Sequence, residues 1–231
     1  MSILIVIPLP QEFDALAGGL RGRGWRAEAR QPGRLPTQFF PELDLILARG
    51  GVGKAQFAVQ TQHLIERAKG VRLVICAGSA GALGDGIAIG DLVAGSATVE
   101  FDYLAKFFPV PPPNFPGDEA TLRELLALPL ATLPCRLHVG PIASGDETIL
   151  DRARAEEVRA RTGALANGWE GAGGARAAAF SEIPFLELRG ISDNADHTAT
   201  ADFPRNVARA LDNLAALLDL WLRPGEAGRA R

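Results

Sequence analysis

An α/β fold is what this sequence predicts, on three observations. Short apolar runs alternate with longer helical patterns, the mark of strands and helices interleaved around a sheet. The apolar runs are almost continuously hydrophobic rather than alternating, as strands covered on both faces are. The chain has 231 residues and no Ser- or Gly-rich linker divides it, so one large domain with a substantial core is expected.

The first run, Ile3 to Ile7, is closed by Pro8 and lacks a basic leader and a cleavage site, so it is predicted as a buried strand. Leu43 to Ala48 is the second strand. Lys54 to Lys69 carries Phe57, Val59, Leu64 and Ile65 among polar residues, which predicts an amphipathic helix. Strands follow at Val71 to Ala77, Asp91 to Val99, Leu137 to Ser144 and Phe185 to Ile191. Between them, Leu104 to Pro116 contains P-V-P-P-P-N-F-P, whose missing amide hydrogens exclude a helix and a central strand. It is expected to be a loop, made apolar by Phe107, Phe108 and Phe115. The patch N-G-W-E-G-A-G-G-A precedes a small-residue helix, and from Phe203 the residues Val207, Leu211, Leu214, Leu218 and Trp221 recur at helical spacing. The domain is expected to span residues 1–223, with a disordered tail at 224–231.

Composition excludes several classes. With 24 Lys and Arg against 27 Asp and Glu, the net charge of -3 gives no attraction for polyanions, so no nucleic-acid partner is expected. No stretch approaches the 18 apolar residues of a membrane span. The two cysteines, Cys76 and Cys135, sit in or beside apolar runs, as reduced thiols of a cytoplasmic protein would. Three scattered histidines offer no metal-ligand spacing, and neither metal nor cofactor is expected.

Ligands of open α/β sheets bind outside the carboxyl ends of the strands. Those ends carry P-L-P-Q-E-F-D with Glu12, R-G-G-V-G-K, A-G-S-A-G-A-L-G with Ser79, A-S-G-D-E-T with Asp146, and L-R-G-I-S-D-N-A-D with Arg189, Ser192, Asp193 and Asp196. The G-G-V-G-K segment lacks the gap and the hydroxyl of a phosphate loop. Taken singly, Glu12 and Glu170 read as solvated carboxylates, and Asp193 as an Asx-turn or N-cap residue. Together they bring three carboxylates from distant parts of the chain toward one pocket, which suits an acid, a base and a sugar-binding group for glycosidic hydrolysis.

In order and approximate spacing, G-G-V-G-K, A-G-S-A-G-A-L, I-G-D-L-V, S-G-D, W-E-G-A and R-G-I-S-D-N-A-D resemble the nucleoside phosphorylase/nucleosidase superfamily, nearest its 5′-methylthioadenosine/S-adenosylhomocysteine nucleosidase branch. The resemblance runs from Ile3 to about Leu222 and weakens at 21–42 and 104–134. It implies a single-domain, three-layer αβα fold with a central mixed, mostly parallel twisted sheet. It also implies that Glu12 is the general base acting on water, that Ser79 and Arg189 position water and ribose, and that Glu170 binds the ribose hydroxyls. Asp193 would be the general acid at purine N7, with Ser192 orienting it. Leu9, Val52 and Phe203 match apolar positions at the 5′ end of a small-molecule nucleoside. A homodimer is implied, with the 104–116 segment of one subunit completing its neighbour's pocket.

Departures from the pattern bear on the substrate. Phosphorylases of this superfamily place arginines where this chain has Cys76 and Glu12, so water is favoured over phosphate as the nucleophile. Thr148, followed by Ile149 as a further substrate-binding position, stands where nucleosidases carry a stacking aromatic residue. Gly168 and Trp169 replace a glutamate and a methionine, and the indole of Trp169 is a substitute stacking surface. W-E-G-A also resembles the M-E-G-A of futalosine hydrolases, while Asp193 leans toward a 6-aminopurine. The readings are therefore a hydrolase of 5′-modified adenosine, a futalosine or aminodeoxyfutalosine hydrolase, a phosphorylase on the same fold, or a nucleoside-binding protein without catalysis.

Overall fold

The computed structural model describes residues 1–107 and 110–223, so the tail expected at 224–231 and Phe108 lie outside the described residues. In chain order the elements are β1 (Ser2–Ile7), α1 (Pro10–Gly22), β2 (Thr37–Phe40), β3 (Leu45–Arg49), α2 (Lys54–Ala68), β4 (Val71–Ala82), β5 (Leu92–Glu100), β6 (Asn114–Pro116), α3 (Glu119–Leu126), β7 (Leu137–Ser144), α4 (Arg152–Thr162), β8 (Ala166–Gly168), α5 (Gly171–Phe180), β9 (Phe185–Asp193) and α6 (Ala199–Leu222). Among the described residues no helix is long and apolar enough to cross a membrane.

The sheet is mixed, in the order β2-β3-β1-β4-β8-β7-β5-β6, and β9 bridges β4 and β5. Parallel pairing joins β1 to β3 and β4, β4 to β9, and β7 to β5 and β8. The pairings β4-β9-β5-β7-β8-β4 form a closed ring, where the sequence suggested an open sheet. The length of β4 makes this possible: its first part pairs with β1 and β9, while Gly81 and Ala82 pair with β8.

Alternation along the strands separates two cores. Ile3, Ile5, Ile7, Leu45, Leu47 and Ile75 face α1 and α6 through Leu16, Leu20, Leu211, Leu214 and Leu218. Leu4, Val6, Ile46, Ala48, Val74 and Cys76 face α2 and α5 through Phe57, Leu64, Ala175 and Ala178. Helices on both faces explain why the strands read as continuous apolar runs.

Several elements differ from the sequence expectation. The strand expected at Leu43 to Ala48 is β3 and starts at Leu45, because Leu43 and Asp44 form the turn before it, and β2 precedes it as an additional strand. The Pro-rich stretch is not loop throughout, since Asn114–Pro116 pairs antiparallel with β5. An edge strand tolerates proline where a central one does not. Helix α1 begins at Pro10, where the missing amide hydrogen has no helical partner to lose. Helix α4 escapes detection by periodicity, because Ala155 and Val158 alone are buried in it. Strands β4 and β9 continue to Ala82 and Asp193, so Ser79 and Asp193 belong to strands rather than to the loops beyond them.

Gly190 on β9 shows how closely α6 lies on the sheet, since a Cβ there would stand 2.6 Å from the Ala210 carbonyl oxygen. Gly190→Ala is expected to push α6 outward at a cost of about 1–3 kcal/mol, read as a lower urea midpoint with an unchanged slope.

Candidate active site

The parallel run of β1, β4 and β9 brings their carboxyl ends to one edge. Glu12 arrives there on the first turn of α1, Ser79 on β4 and Arg189 on β9, where Arg189 is in register with Gly78. A cavity of about 400 Å³ opens at this edge, a size that suits a small ligand. Glu12, Ser79, Glu170, Arg189, Ser192 and Asp193 all line it, as do Leu9, Val52, Thr148, Ile149, Trp169 and Phe203.

Glu12 is 1% exposed, which corrects the reading of a solvated carboxylate. Its Oε1 accepts from the Ser79 backbone N–H at 2.7 Å and from Ser79 Oγ at 2.5 Å, and its Oε2 accepts from the Leu9 N–H at 3.3 Å. Burial raises its pKa; the Ser79 hydrogen bonds and the Arg189 charge oppose that rise without cancelling it. A carboxyl held this way is a proton acceptor of raised basicity, as a general base requires.

Arg189 is also 1% exposed. Its Nε donates to Glu187 Oε1 at 2.8 Å, while Nη1 reaches the Ser79 carbonyl at 3.3 Å and Nη2 reaches Glu170 Oε2 at 3.5 Å. Burial disfavours its charge, but the surrounding carboxylates more than offset this and raise its pKa. The guanidinium occupies space left by glycine. A Cβ on Gly78 would lie 2.9 Å from Nη1, and one on Gly168 would lie 2.7 Å from Cζ.

Glu170 is buried at the start of α5, where its Oε1 accepts from the Gly53 N–H at 3.3 Å. Burial raises its pKa, against the lowering charge of Arg189. The G-G-V-G-K segment therefore holds a carboxylate rather than a phosphate. Its Lys54 turns away to Glu100 at 2.9 Å and to Asp102. Asp146 is not in the cavity; its Oδ1 accepts from the Lys54 N–H at 2.8 Å and caps α2.

Asp193 makes the turn contact and lines the cavity as well. Its Oδ1 accepts from the Ala195 N–H at 2.9 Å, an Asx turn, while its Oδ2 accepts from Ser192 Oγ at 2.8 Å and the side chain still faces the cavity. Burial raises its pKa, with Asp202 and Asp196 adding to the rise against the two hydrogen bonds. Asp196 accepts from the Thr198 N–H and hydroxyl, and so supports the turn. Trp169 is half-buried, with its carbonyl accepting from Ser144 Oγ at 3.0 Å, and Thr148 is exposed at the rim beside buried Ile149. Val52 and Leu150 are exposed at the mouth.

Sequence reading missed two polar residues here. Glu187 lies inside an apolar strand; it is 1% exposed and accepts from Thr98 Oγ1 at 2.5 Å as well as from Arg189. A charged residue within an otherwise apolar run was the available signal. Asn167 lies in the three-residue strand β8, too short to carry a period. Among the described residues no group of three or more His, Cys, Asp or Glu side chains is arranged to hold a metal ion.

A mixed sheet between helical layers, with a carboxylate-rich cavity at its strand ends, defines a nucleoside phosphorylase-like protein. The chain belongs to the phosphorylase superfamily, whose family model matches residues 2–223. It is 28% identical over 201 residues to the 5′-methylthioadenosine/S-adenosylhomocysteine nucleosidase of Thermotoga maritima, covering 82% of this chain and 88% of that one. It is 32% identical over 166 residues to the aminodeoxyfutalosine nucleosidase of Campylobacter jejuni, covering 69% and 72%. The crystal structure of the 5′-methylthioadenosine/S-adenosylhomocysteine nucleosidase of Neisseria meningitidis, in complex with methylthio-immucillin-A, matches with a TM-score of 0.82 at 26% identity over 94% of this chain and 96% of that one.

Glu187→Leu is expected to leave Arg189 undercompensated in the core and to cost about 3–5 kcal/mol, measured by urea unfolding.

Proposed function

We propose that this chain is a purine nucleoside N-ribohydrolase, cleaving the N-glycosidic bond of a 5′-modified adenosine of the 5′-methylthioadenosine/S-adenosylhomocysteine type with water as nucleophile. The observation that carries this reading is the charge of the cavity: among the described residues three carboxylates line it, and the one cation there, Arg189, is already engaged by Glu187 and Glu170. Such a site offers phosphate repulsion and offers water a base.

Glu12 takes a proton from the water as its oxygen bonds to C1′ of the ribose. The C1′–N9 bond breaks as positive charge grows on the sugar, and Glu170 stabilises that charge through the ribose hydroxyls. Asp193 delivers its proton to N7, so the base leaves neutral. Glu12 packs against Gly78 and Asp193 against Gly81, three residues apart on β4, or roughly 10 Å at 3.3 Å per residue. That separation along the strand leaves a place for the sugar between base and acid.

A second reading keeps the chemistry and changes the 5′ group. The relative from Campylobacter jejuni and the W-E-G-A sequence favour aminodeoxyfutalosine or futalosine, and the exposed Val52 and Leu150 at the mouth leave space for a larger substituent. The protein works here as a cytoplasmic homodimer, with the 104–116 segment of one subunit over the mouth of the other. Exposed Tyr103, Leu104 and Phe107 support that arrangement, and free Cys76 and Cys135 suit a reducing compartment.

Base release from methylthioadenosine, S-adenosylhomocysteine, futalosine, aminodeoxyfutalosine and inosine, each with and without phosphate, decides among these substrates. Phosphate-independent release of free base is expected, and a strict phosphate requirement with ribose 1-phosphate as product would overturn the hydrolase reading.

Asp193→Asn keeps the Asx turn and removes the proton, so kcat should fall by about 10²–10⁴-fold. The same variant has a pH signature. A pKa raised above the unfolded value of 3.8 means the folded state favours the protonated acid, and the stability this gives is lost as pH rises through the folded pKa. Asparagine does not titrate. Asp193→Asn should therefore be more stable than wild type at pH 8, by a margin that shrinks toward zero below pH 4 in thermal melts.

A further inference from the structure

Asn167 has no part in the roles set out above, yet it lines the cavity with an unpartnered amide oxygen. Among the described residues, two buried side-chain oxygens have no hydrogen-bond partner, Thr61 Oγ1 in α2 and Asn167 Oδ1. Of these two residues only Asn167 lines the cavity. It is 7% exposed, so its amide depends on the few groups that reach it in the cavity wall.

Its placement follows from the strand ring. Asn167 on β8 stands opposite Gly81 of β4, and Asp193 on β9 meets the same glycine from the other side. A Cβ on Gly81 would lie 2.8 Å from Asn167 Oδ1 and 2.8 Å from Asp193 Oδ1, so amide and acid converge over one bare α-carbon. Any larger residue at 81 would separate them.

The geometry points to Asn167 as the residue that reads the 6-substituent of the bound purine and selects a 6-amino over a 6-oxo base. This rests on the nucleosidase function proposed above, with Asp193 at N7. A purine carries N7 and its 6-substituent side by side on one edge, and an asparagine amide is chemically matched to that edge of adenine. With N7 given to Asp193, the 6-substituent falls toward Asn167. Its carbonyl accepts from a 6-amino N–H, whereas a 6-oxo group sets oxygen against oxygen until the amide turns over. An acceptor buried without a partner recovers its lost hydration only when a donor arrives, so the site rewards the amino base and not its oxo analogue.

The test is base release from 5′-methylthioadenosine, its 6-oxo counterpart and the analogue with hydrogen at carbon 6, by wild type and Asn167→Leu. The wild type should prefer the 6-amino to the 6-oxo substrate. Asn167→Leu should lower kcat/KM for the 6-amino substrate about tenfold or more beyond its loss on the 6-unsubstituted one. Equal losses on all three substrates would make Asn167 a packing residue and overturn the inference, as would a wild type without preference. No release from any substrate by the wild type would instead overturn the nucleosidase reading. Leucine matches asparagine closely in size and removes an unsatisfied group, so Tm should not fall. If it does, Asn167→Asp supplies the same decision: it keeps the acceptor, and loss of the 6-amino preference in that variant overturns the inference.

Discussion

The burial of one guanidinium organises this molecule. Arg189 lies 1% exposed in the middle of a strand ring, and a cation in such a place persists only when carboxylates and carbonyls surround it. Glu187 and Glu170 supply the charges and the Ser79 carbonyl supplies a further acceptor. The glycines around them follow from the same requirement. Gly78 and Gly168 leave space for the guanidinium, and Gly171 leaves space for Glu187, whose Oε2 would lie 2.1 Å from a Cβ at that position. At these positions glycine supplies the volume into which an ion cluster fits. A well-packed apolar cluster would stabilise the core at least as well, so the arginine is explained by what it holds toward the cavity.

Strand β4 carries that organisation from the sugar side to the base side. At Gly78 and Ser79 it faces Arg189 and Glu12, and at Gly81 it faces Asp193 and Asn167. Its pairing with β8 at that second position is the contact that closes the strand ring. The ring therefore has a chemical consequence, because an open sheet would leave β8 and its amide away from Asp193. Separation of the two ends along a rigid strand lets each acid keep its own environment. Glu12 is fixed by Ser79, whereas Asp193 is fixed by Ser192 and the Ala195 N–H.

How much of this the sequence displayed depends on what each signal averages over. Strands with long apolar runs, the terminal helix and the positions of Glu12, Ser79, Glu170, Arg189 and Asp193 were legible, because the fold class fixes where strand ends converge. Short elements were not. Strand β8 has three residues and β6 has a proline, so neither shows a period, and α4 buries two residues in eleven. Burial of single carboxylates was also hidden, since it depends on neighbours far away in the chain. Glu187 is the clearest case. The resemblance expected a glutamate at position 168, where the chain has glycine. The guanidinium of Arg189 fills the space a side chain there would need, and the arginine takes its carboxylate from two residues upstream on its own strand.

The raised pKa values of Glu12, Glu170 and Asp193 share one largest cause, which is burial. Each is a carboxyl whose anion the folded state disfavours, so each takes stability from the protein as pH rises above the ordinary carboxylate range. Structural carboxylates in the same chain behave oppositely: Asp91 and Asp44 are held below their usual values despite partial burial, by His138 and by the N-terminal amine with Ser2. Paired acids thus serve the fold, and the three cavity acids are kept short of compensation. Arg189 partly offsets Glu12 and Glu170 but does not cancel their burial, and among the described residues Asp193 accepts from Ser192 and the Ala195 N–H rather than from a cation. Removing that shortfall with a nearby lysine would stabilise the protein at neutral pH and draw the proton off the acid that the leaving base requires.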